Sequence, residues 1–297
     1  MRNLVSITRA NFLPLTVVIV FAGLAGAFYA RRTFNGLDAL LVMVGALLTH
    51  ASVNAFNNYF DYTSKIDART IKTPFSGGVE ILVKGEMRAT NALAVAIICL
   101  VAAFLIGTYF LFRLFNVLLP LMLYGLLVIV LYTPALSKIH GLSEVIAGSG
   151  FGFMGLGVYV TQAGLIDGTG FAIFVPVTIL VAMLLFLNEF PDADVDKEGG
   201  RRHLVILVGK RRAARIYVIS LIATYISIVL SVVFQAAPWT NLVGLLTIPV
   251  ACKAGRSVLK NYERTPDLVP ALGMNVIMIL STIILVAAGF AIGAFLQ

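Results

Sequence analysis

A chain of 297 residues in which 60% are hydrophobic and 12% charged lies outside the soluble globular class. Its mean hydropathy of +0.97 marks a protein whose solvent is largely membrane lipid. A net charge of +8 would suit nucleic acid, but the cations sit in short loops between apolar runs. Orientation in a membrane explains them better, and no nucleic-acid partner is expected.

Apolar runs of about 20 residues, enough to cross a ~30 Å hydrocarbon core as helix, recur along the whole chain. Nine spans are predicted: Asn11–Ala30, Leu37–Phe60, Ala89–Phe112, Phe115–Thr133, Leu142–Gln162, Phe171–Phe190, Ala213–Gln235, Trp239–Val258 and Leu268–Leu296. Phe12–Ala30 is long enough to span and its flanks suit a retained first helix, so no cleaved signal is expected. Connections at Arg113-Leu114 and Ala236–Pro238 are tight, whereas the long ones follow spans two and six. With the N-terminus inside, 19 of the 22 Lys and Arg fall in inner segments, leaving Arg31, Arg32 and Arg113 outside. That asymmetry predicts a multi-pass protein of the cell membrane, with the N-terminus and acidic loops cytoplasmic and the C-terminus outside. Cys99 and Cys252 lie in or beside apolar spans without metal-like spacing and read as small hydrophobes. The expected fold class is all-α integral membrane, one domain over residues 1–297.

Polar residues inside spans are few, and those of the second span form a stripe. His50, Asn54, Asn57, Asn58 and Asp61 follow one another at intervals of four, three, one and three. Such groups face a bundle interior or a wet cavity, because lipid would leave them unsatisfied, so the stripe points to a cavity opening at Asp61. His50 by itself reads as a hydrogen-bonded helix-packing residue. Beyond Asp61 come Lys65, Asp67, Arg69 and Lys72, then a turn signal at Pro74–Gly78. Tyr124 and Tyr132, eight apart on span four, share a face or stand as interfacial belt residues. The polar stretch after span four supplies Lys138, His140 and Glu144. Glu144 lies just inside a span, which is costly unless paired, so it is expected to face the site or Lys138.

The charged island from Asn188 to Arg202 carries Asn188, Asp192 and Asp196 four apart, a spacing that on a helix puts all three on one face. Asp194 points off that face. Carboxylates backed by Arg201 and Arg202 suit a divalent cation carrying a phosphorylated ligand, since Mg²⁺ takes few protein carboxylates and leaves other positions to water and phosphate oxygens. The Asn-x3-Asp beginning occurs twice. Asn57 to Asn188 and Asp61 to Asp192 are both 131 residues apart, which hints at a duplicated helical unit and at two sides of one site.

These motifs resemble the UbiA superfamily of intramembrane aromatic prenyltransferases over essentially the whole chain. The likeness rests on two Asp-rich motifs after spans two and six and on Thr8-Arg9 shortly before Leu13-Pro14. It extends to Tyr132-Thr133-Pro134 with Lys138, and to Asp192-x3-Asp196 followed by Gly199, Leu204 and Gly209. Departures are visible. Asn58 takes the second place of the usual Asn-Asp-x2-Asp-x3-Asp, Lys65 stands where the last Asp often falls, and Ala10 replaces the usual Pro after Arg9. The longer Asp61-to-Asp67 spacing and the Asn188-led second motif resemble the branch acting on 1,4-dihydroxy-2-naphthoate in menaquinone synthesis.

The resemblance implies nine helices around a central cavity with a cytoplasmic cap. It implies Mg²⁺-dependent transfer of an isoprenyl chain from its diphosphate, through an allylic carbocation, to an aromatic acceptor. Asp61, Asp67, Asp192 and Asp196 would hold metal with Asn57 and Asn188 in support. Asp61, Asp192, Tyr132 and Lys138 would be catalytic. Asn54, Asn58, Lys65, Arg69, Lys72, Arg201, Arg202, Glu144 and Arg9 would contact substrate. Other readings are the same chemistry on 4-hydroxybenzoate or a geranylgeranylglyceryl phosphate precursor, a non-catalytic prenyl-lipid binder, and a transporter gated by its acidic loops.

Overall fold

The computed structural model describes residues 2–64, 79–198 and 201–296, without the side chains of Arg2 and Lys138. Regular structure among the described residues is entirely helical. The helices are α1 (Arg2–Ile7), α2 (Pro14–Arg31), α3 (Gly36–Thr63), α4 (Glu80–Val83), α5 (Ala89–Leu131), α6 (Ser143–Ala163), α7 (Gly168–Asn188), α8 (Ala193–Glu198), α9 (Leu204–Val208), α10 (Lys210–Val233), α11 (Ile248–Asn261) and α12 (Thr265–Leu296). Short 3-10 turns lie at Ala10–Phe12, Leu136–Lys138 and Trp239–Thr247. The chain is a multi-pass integral membrane protein by the length and composition of these helices.

Among the described residues, eight helices are long and apolar enough to cross a bilayer, where nine are expected. The difference lies in α5, whose 43 residues take in the expected third and fourth spans. The connection at Arg113-Leu114 is so short that Leu114 alone leaves helical geometry (φ −132°, ψ 36°), and no loop separates the two arms. A straight helix would put Gly107 and Met122 about 22 Å apart. Instead a Cβ placed on Gly107 would stand 2.5 Å from the Met122 methyl, so the arms fold back side by side. At the bend Arg113 donates to Asp38 Oδ2 (2.6 Å) and its guanidinium lies 5.0 Å from the Tyr109 ring centre. Tyr109 donates its hydroxyl to Asp38 Oδ1 (3.0 Å). Asp38 is buried at the start of α3, and these two donors compensate its charge.

Contacts run in a closed circuit from α3 to α5, α6, α7, α10, α11, α12, α2 and back to α3, with α2 also packed on α6 and α7. The closest approach is between α6 and α7, where a Cβ on Gly148 or Gly152 would collide with Thr178. Asp167 starts α7 by accepting from the Thr169 and Gly170 amides (3.0 and 3.3 Å). It also takes the Tyr159 hydroxyl (2.7 Å) and Arg31 (3.1 Å), which pins α2, α6 and α7 together at one end. The main apolar core draws on α2, α7, α10 and α12, whose inward faces are fully buried. The cavity lies beside this core. Its walls come from α2, α3, α5, α6 and α7, and α10 to α12 contribute none of them.

Candidate active site

A cavity of about 490 Å³ runs between α2, α3, α5, α6 and α7, apolar along its walls and polar at one end. Val42, Phe104, Phe110, Leu118 and Val158 line the apolar part. At the polar end stand Arg9, Asn54, Asn57, Asp61, Tyr132, Asn188, Glu189, Asp192, Asp196, Arg201 and His203. The two acidic motifs thus meet at one mouth, although 131 residues separate their corresponding members.

They reach it on different backbones. α3 continues through Asp61 to Thr63, so Asn57 and Asp61 project from consecutive turns of one helix. Asn188, Asp192 and Asp196 do not share a helix face, contrary to expectation. α7 ends at Asn188, a turn covers 189–192, and α8 begins at Ala193. Pro191 accounts for the break, since it lacks an amide to continue the ladder and disfavours helical geometry in the residue before it. The Asp196 amide still donates to the Asp192 carbonyl (2.8 Å), which keeps both side chains at the cavity.

Arg201 joins the motifs. Its guanidinium lies 2.6 Å from Asp61 Oδ1 and 3.3 Å from Asp196 Oδ1. Burial works against that charge, but Asp61 and Asp196 outweigh it and raise the guanidinium's affinity for its proton. Behind Arg201, the buried His203 ring sits with Nε2 3.3 Å from Asp196 Oδ2 and Nδ1 3.5 Å from Glu189 Oε2. Ligand atoms of Glu144, Glu189 and His203 all lie within 4.8 Å of one another. Burial, and then the neighbouring Glu144 and Asp196, push Glu189 well above the usual carboxylate range. The Tyr132 phenol is pushed up for similar reasons, first by burial and then by Glu189 and Glu144, so it remains a neutral hydroxyl.

Other expected residues divide clearly. Asn54 lines the cavity and donates to the Thr8 carbonyl (2.8 Å). Asn57 also lines it, and its Oδ1 accepts the Thr133 hydroxyl. Asn58 is fully buried behind the wall, accepting Arg9 through Nε and Nη2 (3.1 and 2.7 Å) and donating to the Ile7 carbonyl (2.8 Å). It positions Arg9, whose left-handed backbone (φ 47°) turns the chain at the mouth. Glu144 does not line the cavity. It accepts Ser143 Oγ (2.8 Å) and the Leu204 amide (2.7 Å) and so ties the stretch after α5 to α9. Arg202 is exposed, and its carbonyl takes the amide of Gly141, a residue with φ 65°. Asp194 is exposed beside Lys210 (3.0 Å), off the site as expected. Tyr124 pairs with Ser149 and does not line the cavity, whereas Tyr132 does. His50 bonds to Thr16 (2.7 Å) and sits edge-on to Phe151, and it also lines the cavity. Lys65, Asp67, Arg69, Lys72 and the Lys138 side chain lie outside the described residues.

Chemically, the mouth offers hard oxygen donors with a cation between them. Asn188 Oδ1 is buried at the cavity with no hydrogen-bond partner among the described residues, an acceptor that a cation would satisfy. Together with the carboxylates of Asp61, Asp192 and Asp196, this donor set fits Mg²⁺. Comparison with known proteins decides the family: residues 17–279 match the UbiA prenyltransferase family. The chain belongs to that family and is a prenyltransferase.

A 1,4-dihydroxy-2-naphthoate octaprenyltransferase of Bacillus subtilis is 28% identical over 86% of this chain and 81% of its own length. A solved UbiA homologue from Aeropyrum pernix K1 superposes with a TM-score of 0.74 at 19% identity, covering 93% of this chain and 97% of that one. Another from Archaeoglobus fulgidus, determined with GPP and Mg²⁺, gives a TM-score of 0.64 at 15% identity over 95% and 99%. Within this UbiA-family site, sequence reasoning passed over three residues. Glu189 and His203 carry charge-bearing groups but stand outside the Asn-x3-Asp spacing. Thr133 stands inside the Tyr132-Thr133-Pro134 motif but carries no role of its own there. For the other two the sequence signal is proximity, since Glu189 follows Asn188 and His203 follows the Arg pair.

Proposed function

We propose that this UbiA-family prenyltransferase transfers an isoprenyl chain from its diphosphate to 1,4-dihydroxy-2-naphthoate, in a Mg²⁺-dependent reaction at the polar mouth. The observation that carries this reading is the convergence of two acidic motifs, one from each half, above a long apolar cavity. The likeness to naphthoate prenyltransferases along most of the chain supports the choice of acceptor.

In this reading Asp61, Asp192, Asp196, Asn57 and Asn188 hold Mg²⁺, with Asp67 completing the first motif. Bound there, Mg²⁺ would neutralise the diphosphate as it leaves. Arg201 and Arg9 stand at the same mouth and supply positive charge toward the departing oxygens, with Lys65, Arg69, Lys72 and Lys138 as further phosphate contacts. Breaking the allylic C–O bond leaves a carbocation, which the electron-rich acceptor carbon attacks, and the ring then loses a proton. Tyr132 presents a neutral phenol whose ring face stabilises nearby positive charge. The apolar walls hold the prenyl tail and exclude water from the cation. Glu144 and Asn58 act from behind, one by joining two loops and the other by holding Arg9.

The topology belongs to the same proposal. Both arms of α5 cross the membrane, giving nine crossings, with the N-terminus and the mouth cytoplasmic and the C-terminus outside. The whole chain acts as one domain. The test is prenyl transfer by purified protein with Mg²⁺ and geranylgeranyl diphosphate, offered each acceptor separately. Product with dihydroxynaphthoate is expected. Product with 4-hydroxybenzoate or geranylgeranylglyceryl phosphate alone would overturn the acceptor while keeping the site.

A further inference from the structure

Glycine inside a helix costs about 1 kcal/mol relative to alanine, so a helical glycine calls for a reason. For several in this chain the reason is contact. A Cβ at Gly148 or Gly152 would collide with α7, and one at Gly107 with Met122. Gly125 and Gly157 are different. Each stands mid-helix, on the second arm of α5 and on α6, and a Cβ at either would meet no atom within 4 Å. Both line the cavity. What their missing side chains provide is open volume.

They also stand at different depths. Thr133, beyond the end of α5, and Ser143, the first residue of α6, both line the cavity near the polar mouth. Gly125 lies eight residues along from Thr133, about 12 Å at the helical rise. Gly157 lies fourteen residues from Ser143, about 21 Å. Past Gly157 the lining includes Val42, Leu118 and Val158. Each isoprenoid unit adds five carbons, four of them along the chain, about 5 Å when extended.

Resting on the reading that the cavity holds a prenyl tail, we propose that Gly125 and Gly157 are specificity-determining residues that set which polyprenyl chain lengths the enzyme accepts. Gly125 leaves room for the chain's early units and Gly157 for later ones. A large side chain at either would end the usable channel at that depth, and the two substitutions would truncate it at different lengths. Neither should weaken its helix, since any residue but proline has a higher helix propensity than glycine.

The experiment measures kcat/KM with two-, four- and eight-unit prenyl diphosphates for the wild type, Gly125→Phe and Gly157→Phe. Gly125→Val and Gly157→Val serve as milder steps, and all variants are matched for melting temperature and dispersity in detergent. Relative to wild type, Gly125→Phe should lose about tenfold or more on the four-unit donor, as expected for an overpacked site, while retaining the two-unit donor within about threefold. Gly157→Phe should keep both and lose the eight-unit donor. Equal losses on all donors, a reversed order, or unchanged length preference in active variants would overturn the assignment. Absence of transfer by the wild type with every donor would instead overturn the prenyl-transfer reading on which it rests.

Discussion

The two acidic motifs share a spacing but not a construction. The first lies along an unbroken helix, where Asn57 already accepts a hydrogen bond from Thr133 and Asn58 is committed to Arg9. The second is spread over a helix end, a proline turn and a six-residue helix, and it leaves the Asn188 oxygen buried without a hydrogen-bond partner among the described residues. Its carboxylate Asp196 is also flanked by a buried histidine. The first motif is thus a rigid rail braced by neighbours, and the second a cupped loop with acceptor capacity to spare. In the proposed reaction both contribute carboxylates, and the second adds an amide oxygen, that of Asn188, with no hydrogen-bond partner among the described residues.

The largest expected effect is loss of the carboxylates that define the two sides. Asp192→Asn and Asp61→Asn should each lower Mg²⁺-dependent product formation by about 100-fold or more, read as initial rates on folded protein. Full activity in both would break the comparison at its root. Arg201→Gln comes next, because its guanidinium spans the motifs. A loss of about 30-fold in kcat/KM is expected, roughly 2 kcal/mol of charge-assisted bonding. The Mg²⁺ midpoint for thermal stabilisation, measured without donor, should fall at the same time, since a competing cation is gone. A midpoint that rises would show that Arg201 organises the carboxylates rather than competes for them.

Comparing Asn188→Ala with Asn57→Ala sharpens the difference between rail and loop. The first should weaken Mg²⁺ binding by about tenfold, whereas the second, whose oxygen is shared with Thr133, should weaken it by less and also cost about 1 kcal/mol of stability for the unpaired Thr133 hydroxyl. Calorimetric Mg²⁺ titration and thermal melts separate the two. The smallest effect concerns Glu189. Its affinity for a proton is raised on folding, so its contribution favours the fold at low pH and is lost as pH rises through the folded-state value. Glu189→Gln should therefore raise the melting temperature more at pH 9 than at pH 5. Equal shifts at both would remove the buried-proton account.

The helical, membrane-spanning class was legible because lipid demands long apolar helices, and composition reports that demand directly. The pairing of Asn57 and Asp61 with Asn188 and Asp192 was legible from repeat spacing. The number of separate helices was not, because hydropathy places a tight connection at Arg113-Leu114 but cannot see that a one-residue bend joins the two arms without a loop. The shared helix face of Asn188, Asp192 and Asp196 failed at Pro191, a local breaker outweighed in the reading by a regular spacing. Asn58 was misplaced for a subtler reason: adjacent asparagines point to different sides of α3, and spacing alone does not say which faces the cavity. The buried Glu144, Glu189 and His203 group depends on loops folding over one another, which no periodicity encodes.

The central claim is that two motifs from opposite halves build one site for Mg²⁺ and diphosphate. Its most direct test is calorimetric binding of a non-hydrolysable prenyl thiodiphosphate, with and without Mg²⁺, to wild type, Asp61→Asn, Asp192→Asn and the double variant. A single shared site predicts that either substitution removes Mg²⁺-dependent binding and that the double variant is no worse than the singles. Independent losses that add in the double variant, or Mg²⁺-dependent binding kept by either single, would contradict it.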